Sequence, residues 1–148
     1  MSPRRMARVR AVQYLYQWEL RQQPPSRQAL EEFWALSPAS ASVRRFAEEL
    51  ILGAIDHVTS LDERIRQYLE NWQIGRLAAV DRSILRVALY ELFYRAEIPP
   101  VVSVNEAVEV AKQMGSEESG RFVNGVLDRA LRDVNRPLRA VPDDGGEA

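Results

Sequence analysis

The stretch LAAVDRSILRVALYELFYRA, running from Leu77 to Ala96, decides the fold. Val80, Ile84, Leu85, Val87, Ala88, Leu89, Leu92 and Phe93 are apolar. Placed at 100° per residue, they cover nearly the whole circumference of a helix. No proline or glycine interrupts the run. A helix that is apolar almost all round is stable only when other helices surround it. The rest of the chain must supply that surround.

Proline and glycine cut the flanking sequence into amphipathic pieces. A first helix is expected from about Arg4 to Gln22, with a stripe of Ala7, Ala11, Tyr14, Leu15 and Trp18 ending before Pro24-Pro25. Ser26 can cap a short helix carrying Leu30, Phe33 and Trp34, which Ser37-Pro38 stops. A third spans roughly Ala41 to Thr59, facing inward with Val43, Phe46, Ala47, Leu50, Ile51, Ala54 and Val58. Ser60 with Glu63 reads as a capping box for a fourth helix holding Ile65 and Leu69, with Trp72 and Ile74 before Gly75. Beyond the central helix, Ser103 with Glu106 reads as a second capping box, opening a helix that ends at Gly115. Ser116 opens the last helix, whose stripe is Val123, Val126, Leu127, Ala130 and Val134 and which stops before Pro137. No segment alternates with period two. The expected fold is all-α: about seven helices in two sub-bundles sharing the fifth. One domain is expected over residues 1–137, with an acidic, disordered tail over residues 138–148.

The 148 residues suit a single domain, and 46% hydrophobic with 28% charged is ordinary for a globular chain. Without cysteine there are no disulfides, thiolate metal sites or cysteine nucleophiles. The basic start has no apolar run for a signal peptide, and no stretch approaches a membrane span, so a cytoplasmic chain is expected. The single histidine, His57, falls on an expected helix, where a surface or boundary position is the default. No metal-ligand spacing, phosphate loop or nucleophile elbow is present. Neither enzyme activity nor a cofactor or metal is expected.

Two features point toward nucleic acid. Arg4, Arg5, Arg8 and Arg10 stand within ten residues that hold no acid. At the start of a helix Arg4, Arg5 and Arg8 can meet successive phosphates and release counterions, although a basic terminus is also a common solubilising device. On the helical wheel Arg5 and Tyr16 share a face away from the apolar stripe. The second feature is the junction from Gly115 to Gly125, where a helix start offers free N–H groups to an anion. Phe122 lies about 100° from the middle of its helix's stripe, so it should be partly exposed beside Arg121. Such a ring can stack on an unpaired base.

Several blocks, in order, resemble the NusB family. They are Arg4-Arg5-Met6-Ala7-Arg8 followed by Ala11-Val12-Gln13-Tyr14-Leu15-Tyr16, then Ile84 to Leu92, then Pro99 to Lys112, then Phe122-Val123-Asn124-Gly125-Val126-Leu127-Asp128. The resemblance runs from Arg4 to about Leu131. It implies a non-catalytic antitermination factor that binds single-stranded boxA RNA of ribosomal-RNA leader transcripts. It also implies a partner, the small-subunit ribosomal protein NusE, within an antitermination complex on RNA polymerase. Mapped onto this sequence, the RNA face would use Arg4, Arg5, Arg8, Met114, Glu118, Arg121 and Phe122. The partner face would use Tyr16, Arg76 and Asp81, with the Asp81 carboxylate pointing outward. Met6 and Met114 depart from the family pattern, which favours a basic residue and an aromatic there. Two alternatives stand beside this reading. One is an adaptor that binds only protein. The other is the RNA-recognition module found at the N-terminus of RNA cytosine methyltransferases, which needs a catalytic domain that this length does not supply. Whether the free chain is a monomer or a homodimer stays open.

Overall fold

The central helix forms as its composition requires: α5 spans Ala79–Tyr94, with Ile84, Leu85, Val87, Ala88, Leu89 and Leu92 buried. The structure is a computed structural model and describes residues 1–69 and 74–139. Among these, the elements are seven α-helices and one short 3-10 turn, Ile74–Arg76. Around α5 pack α1 (Pro3–Arg21), α3 (Ala41–Asp56), α4 (Val58–Leu69), α6 (Pro100–Met114) and α7 (Glu117–Leu131). The remaining helix, α2 (Arg27–Leu36), joins α1 through Phe33, whose ring meets Tyr14 edge-on at 5.3 Å. It joins α3 through Trp34, whose indole N–H donates to Glu48 at 2.7 Å. The first three helices make one sub-bundle, and α4 to α7 make the other, with α5 reaching into both. Each fully buried leucine or isoleucine in this shared core contributes roughly 1.5–3 kcal/mol. Trp72 and the tail from 140 onward lie outside the described residues.

The reading of α5 as apolar nearly all round needs correcting, because two charges are buried in it. Glu91 is 1% exposed, and its carboxylate accepts two hydrogen bonds from Arg8 of α1, both 2.8 Å. Ser103 of α6 donates a third at 2.6 Å. One turn earlier Arg86 holds Asp62 of α4 through Nε at 2.8 Å and Nη2 at 2.9 Å, and also contacts Glu19 of α1. Buried charges persist only when paired and hydrogen-bonded, and these are. They fasten α5 to α1, α4 and α6 in one register.

Ser26 and Ser116 cap as expected, accepting from the N–H groups of Ala29 and Ser119 at 3.0 and 3.1 Å. Both expected capping boxes are wrong. The third helix ends at Asp56, and α4 begins at Val58, so Ser60 is already inside it and donates back to the His57 carbonyl. Helix α6 starts at Pro100, where the missing N–H costs nothing and the fixed φ suits a first turn. Ser103 is therefore buried against Glu91, not set at an N-cap. His57 closes α3 and stacks on Tyr94 with ring centroids 3.8 Å apart. Next to it the Tyr90 ring lies directly over Gly53, where a Cβ atom has no room.

After α7 the chain returns to the far end of α5. The guanidinium of Arg136 donates to the carbonyls of Glu91, Leu92, Arg95, Ala96 and Ile98 at 2.8–3.3 Å. Helix C-termini leave carbonyls unpaired, and a cation there also meets the negative end of the helix dipole. Leu138 then accepts from the Val101 N–H at 2.9 Å, filling one open donor of α6's first turn.

Candidate functional site

The corner between α6 and α7 is built by small residues. Ser116 caps α7, with Glu117 and Glu118 in its first turn where the helix dipole favours acids. Gly120 is buried against α6, and a Cβ there would meet the Lys112 side chain at 2.8 Å. This close approach brings the start of α7 beside the end of α6. On the outside stand Glu118 and Arg121, both exposed. Phe122 and Met114 are half-buried, each with one side packed on the core. The partial exposure expected for Phe122 from its wheel position is what the structure has.

The N-terminal arginines do not form one phosphate clamp. Arg8 is 4% exposed and spent on Glu91, so its expected place on the RNA face is corrected: a guanidinium this deep cannot meet a phosphate. Arg5 is partly exposed but makes a two-pronged pair with Glu106 of α6, Nε and Nη2 at 2.8 and 2.9 Å. Arg4 turns the other way, its guanidinium 4.1 Å from the centre of the Phe46 ring on α3. The shortest contacts of the three neighbouring arginines thus go to three helices, α5 for Arg8, α6 for Arg5 and α3 for Arg4. The Arg5 pair does place the start of α1 along α6. Glu106 lies eight residues before Met114, about 12 Å along the helix.

The hydrogen bond from Arg5 holds the Glu106 carboxyl below the usual carboxylate range, against the opposing effect of burial. Glu19 is held low in the same way by Arg82 and Arg86. Because the folded values are depressed, the unfolded chain takes up these protons first. The stabilisation is present above the ordinary value near ~4.3 and is lost as pH falls through the folded value. Glu106→Gln should therefore show a shallower acid limb than wild type in urea midpoints measured against pH. Parallel limbs would show that the pair contributes nothing to acid stability.

On the other expected face, Tyr16 is 39% exposed and Arg76 is exposed in the 3-10 turn. Asp81 does not point freely outward. It is half-buried in the first turn of α5, where burial pushes its carboxyl up and a hydrogen bond from Ser119 of α7 works against that. It sits between the two expected faces. Sequence reasoning missed Arg82, which joins the partner-face elements. Arg82 binds Glu19, one turn beyond Tyr16, and donates to the carbonyls of Ile74 and Leu77 at 2.9 and 3.1 Å, on both sides of Arg76.

The sequence model of the NusB family matches residues 5–132. The chain belongs to the NusB family. Among its relatives, the transcription antitermination protein NusB of Methylacidiphilum infernorum (isolate V4) is 43% identical over 136 residues, covering 92% of this chain and 95% of that protein. The one from Myxococcus xanthus (strain DK1622) is 41% identical over 141 residues, covering 93% and 100%. Among solved structures, NusB of T. maritima superposes with a TM-score of 0.79 at 37% identity, covering 96% of this chain and 95% of that one. A structure of the antitermination factors NusB and NusE in complex with double-stranded RNA gives 0.79 at 28% identity, covering 90% and 98%. NusB family proteins are transcription antitermination factors, not enzymes. No helix among the described residues is long and apolar enough to cross a membrane.

Proposed function

We propose that this chain is a non-catalytic transcription antitermination factor that holds RNA at the α6–α7 corner and a small ribosomal protein, NusE, on the face around Tyr16, Arg76 and Asp81. The observation that carries the RNA reading is Phe122, a partly exposed ring at a helix start, next to Arg121, an exposed cation with no ion pair among the described residues. Stacking supplies affinity for an unpaired base, and a nearby cation serves the phosphate. Arg5 contributes from α1, sharing its charge with Glu106, while Met114 fills the edge of the same corner. Family membership and the relative solved with NusE and double-stranded RNA support the partner; the ligand we propose is boxA RNA of ribosomal-RNA transcripts, and the setting the polymerase complex in the cytoplasm.

The test is a titration with a boxA oligonucleotide. Phe122→Ala should cost about 1–3 kcal/mol of RNA affinity. Its cost in stability should stay below the ~3–5 kcal/mol of a fully buried phenylalanine. Glu118→Gln keeps the shape and removes a negative charge beside the RNA backbone, so RNA should bind more tightly, most clearly at low salt. A folded Phe122→Ala protein with wild-type RNA affinity would assign the ring to the core alone. NusE binding without any RNA binding would make the chain a protein adaptor.

A further inference from the structure

The divergence of Arg4 from Arg5 leaves a second basic surface that the α6–α7 corner does not use. A groove of about 250 Å3 opens between the start of α1 and the start of α3, lined by Pro3, Arg4, Ser42, Arg45, Phe46 and Glu49. Arg4 and Arg45 are both exposed, and neither makes an ion pair or a side-chain hydrogen bond among the described residues. The acids around them are already engaged. Glu49 accepts from Arg95 at 2.8 Å and Glu97 from the same guanidinium at 2.6 Å, while Glu48 is held by Arg27 and Trp34. Glu97 does feel the charge of Arg4, but its hydrogen bond goes to Arg95. Around the groove three arginines, Arg4, Arg45 and Arg95, face two carboxylates, Glu49 and Glu97, so a net positive charge remains there.

The floor of the groove says what kind of contact it makes. Phe46 is buried and covered by the Arg4 guanidinium, so no ring is offered to a base. Stacking on the ring restricts Arg4 while leaving its planar edge of donors free for an anion. The surface is therefore suited to phosphate, without reading sequence. It also starts from the same α1 turn whose Arg5 faces α6.

We propose that this groove carries the sugar-phosphate backbone of the bound RNA beyond the segment held at the α6–α7 corner, with Arg4 and Arg45 as phosphate ligands. The proposal rests on the RNA reading above and extends it to a surface on α3.

The experiment compares two RNAs at several salt concentrations: a boxA oligonucleotide, and the same oligonucleotide lengthened by a run of uridines at one end or the other. Wild-type protein should show a steeper dependence of log K on log salt with one of the lengthened RNAs. Arg45→Ala should lower that slope by roughly 0.7, the value of one phosphate contact on a single strand, and leave the short RNA unaffected. Its melting temperature should be unchanged, because Arg45 makes no ion pair or side-chain hydrogen bond among the described residues. Arg132→Ala, which removes an exposed cation from the far end of α7, should leave both slopes alone. Equal slopes for short and lengthened RNAs would overturn the proposal. So would an Arg45→Ala slope like wild type, or an equal loss in Arg132→Ala. In those cases the short RNA still binds and the corner reading stands. If wild-type protein binds neither RNA, both readings fall.

Discussion

Glu91→Ala is expected to cost about 3–5 kcal/mol of stability, as much as emptying a large core position. The carboxylate is buried, and three donors converge on it, two from Arg8 and one from Ser103. Removing it leaves a buried guanidinium whose remaining counter-charge is Glu106, 3.9 Å away and already held by Arg5, and losing half of a buried pair is costly. Since a domain of this kind has only about 5–15 kcal/mol in hand, the variant can fall below the folding threshold. The double replacement Arg8→Met with Glu91→Leu keeps the test decisive. It removes both charges together and should recover most of the loss in urea unfolding. A double variant no more stable than Glu91→Ala would mean that shape, not charge pairing, holds α1 to α5. The same protein also bears on function. Arg8 is buried, so the double variant should bind RNA like wild type once folded.

Arg136→Met should cost about 2–3 kcal/mol, the scale for losing hydrogen bonds from a charged donor to carbonyls at a helix end. Methionine keeps the apolar stem and removes only the guanidinium. The effect should be local to the end of α5. In amide exchange the N–H groups of Arg95 and Ile98, which bond to the carbonyls of Glu91 and Arg95, should lose protection first, while those of α3 keep theirs. A denaturation midpoint equal to wild type would mean that water serves those carbonyls as well as Arg136 does.

The architecture was legible because the apolar periodicities are strong and the breaks sharp. The α1 stripe, the Ser26 and Ser116 caps and the wheel position of Phe122 are local patterns of a few residues, and local patterns survive without knowledge of the fold. What failed was not local. Arg8 reads as one of a basic cluster because its partner stands 83 residues away, and the Arg5 pair spans 101. Ser103-x-x-Glu106 fits the capping formula, but Pro100 had already started the helix, and the two side chains were taken by Glu91 and Arg5. One signal was available and unused. Arg86 and Glu91 sit among the apolar residues of a helix that other helices surround, so each required a buried partner of opposite charge. For the candidate site, wheel geometry found the exposed ring but not the half-burial of Asp81, which depends on α7 closing over the start of α5.

The Arg136 cap has a consequence for the order in which the molecule can be finished. A chain emerges from the ribosome N-terminus first, and its parts begin to fold as they appear. Helix α5 can meet α1, α3 and α4 early, since all three precede it. Its last carbonyls then wait, because the side chain that closes them lies 42 residues beyond Tyr94, after both α6 and α7. The centre of the protein is thus laid down in the middle of synthesis and sealed only near its end. A nascent chain stalled before Arg136 would display six or seven helices around a core whose axis still frays at one end.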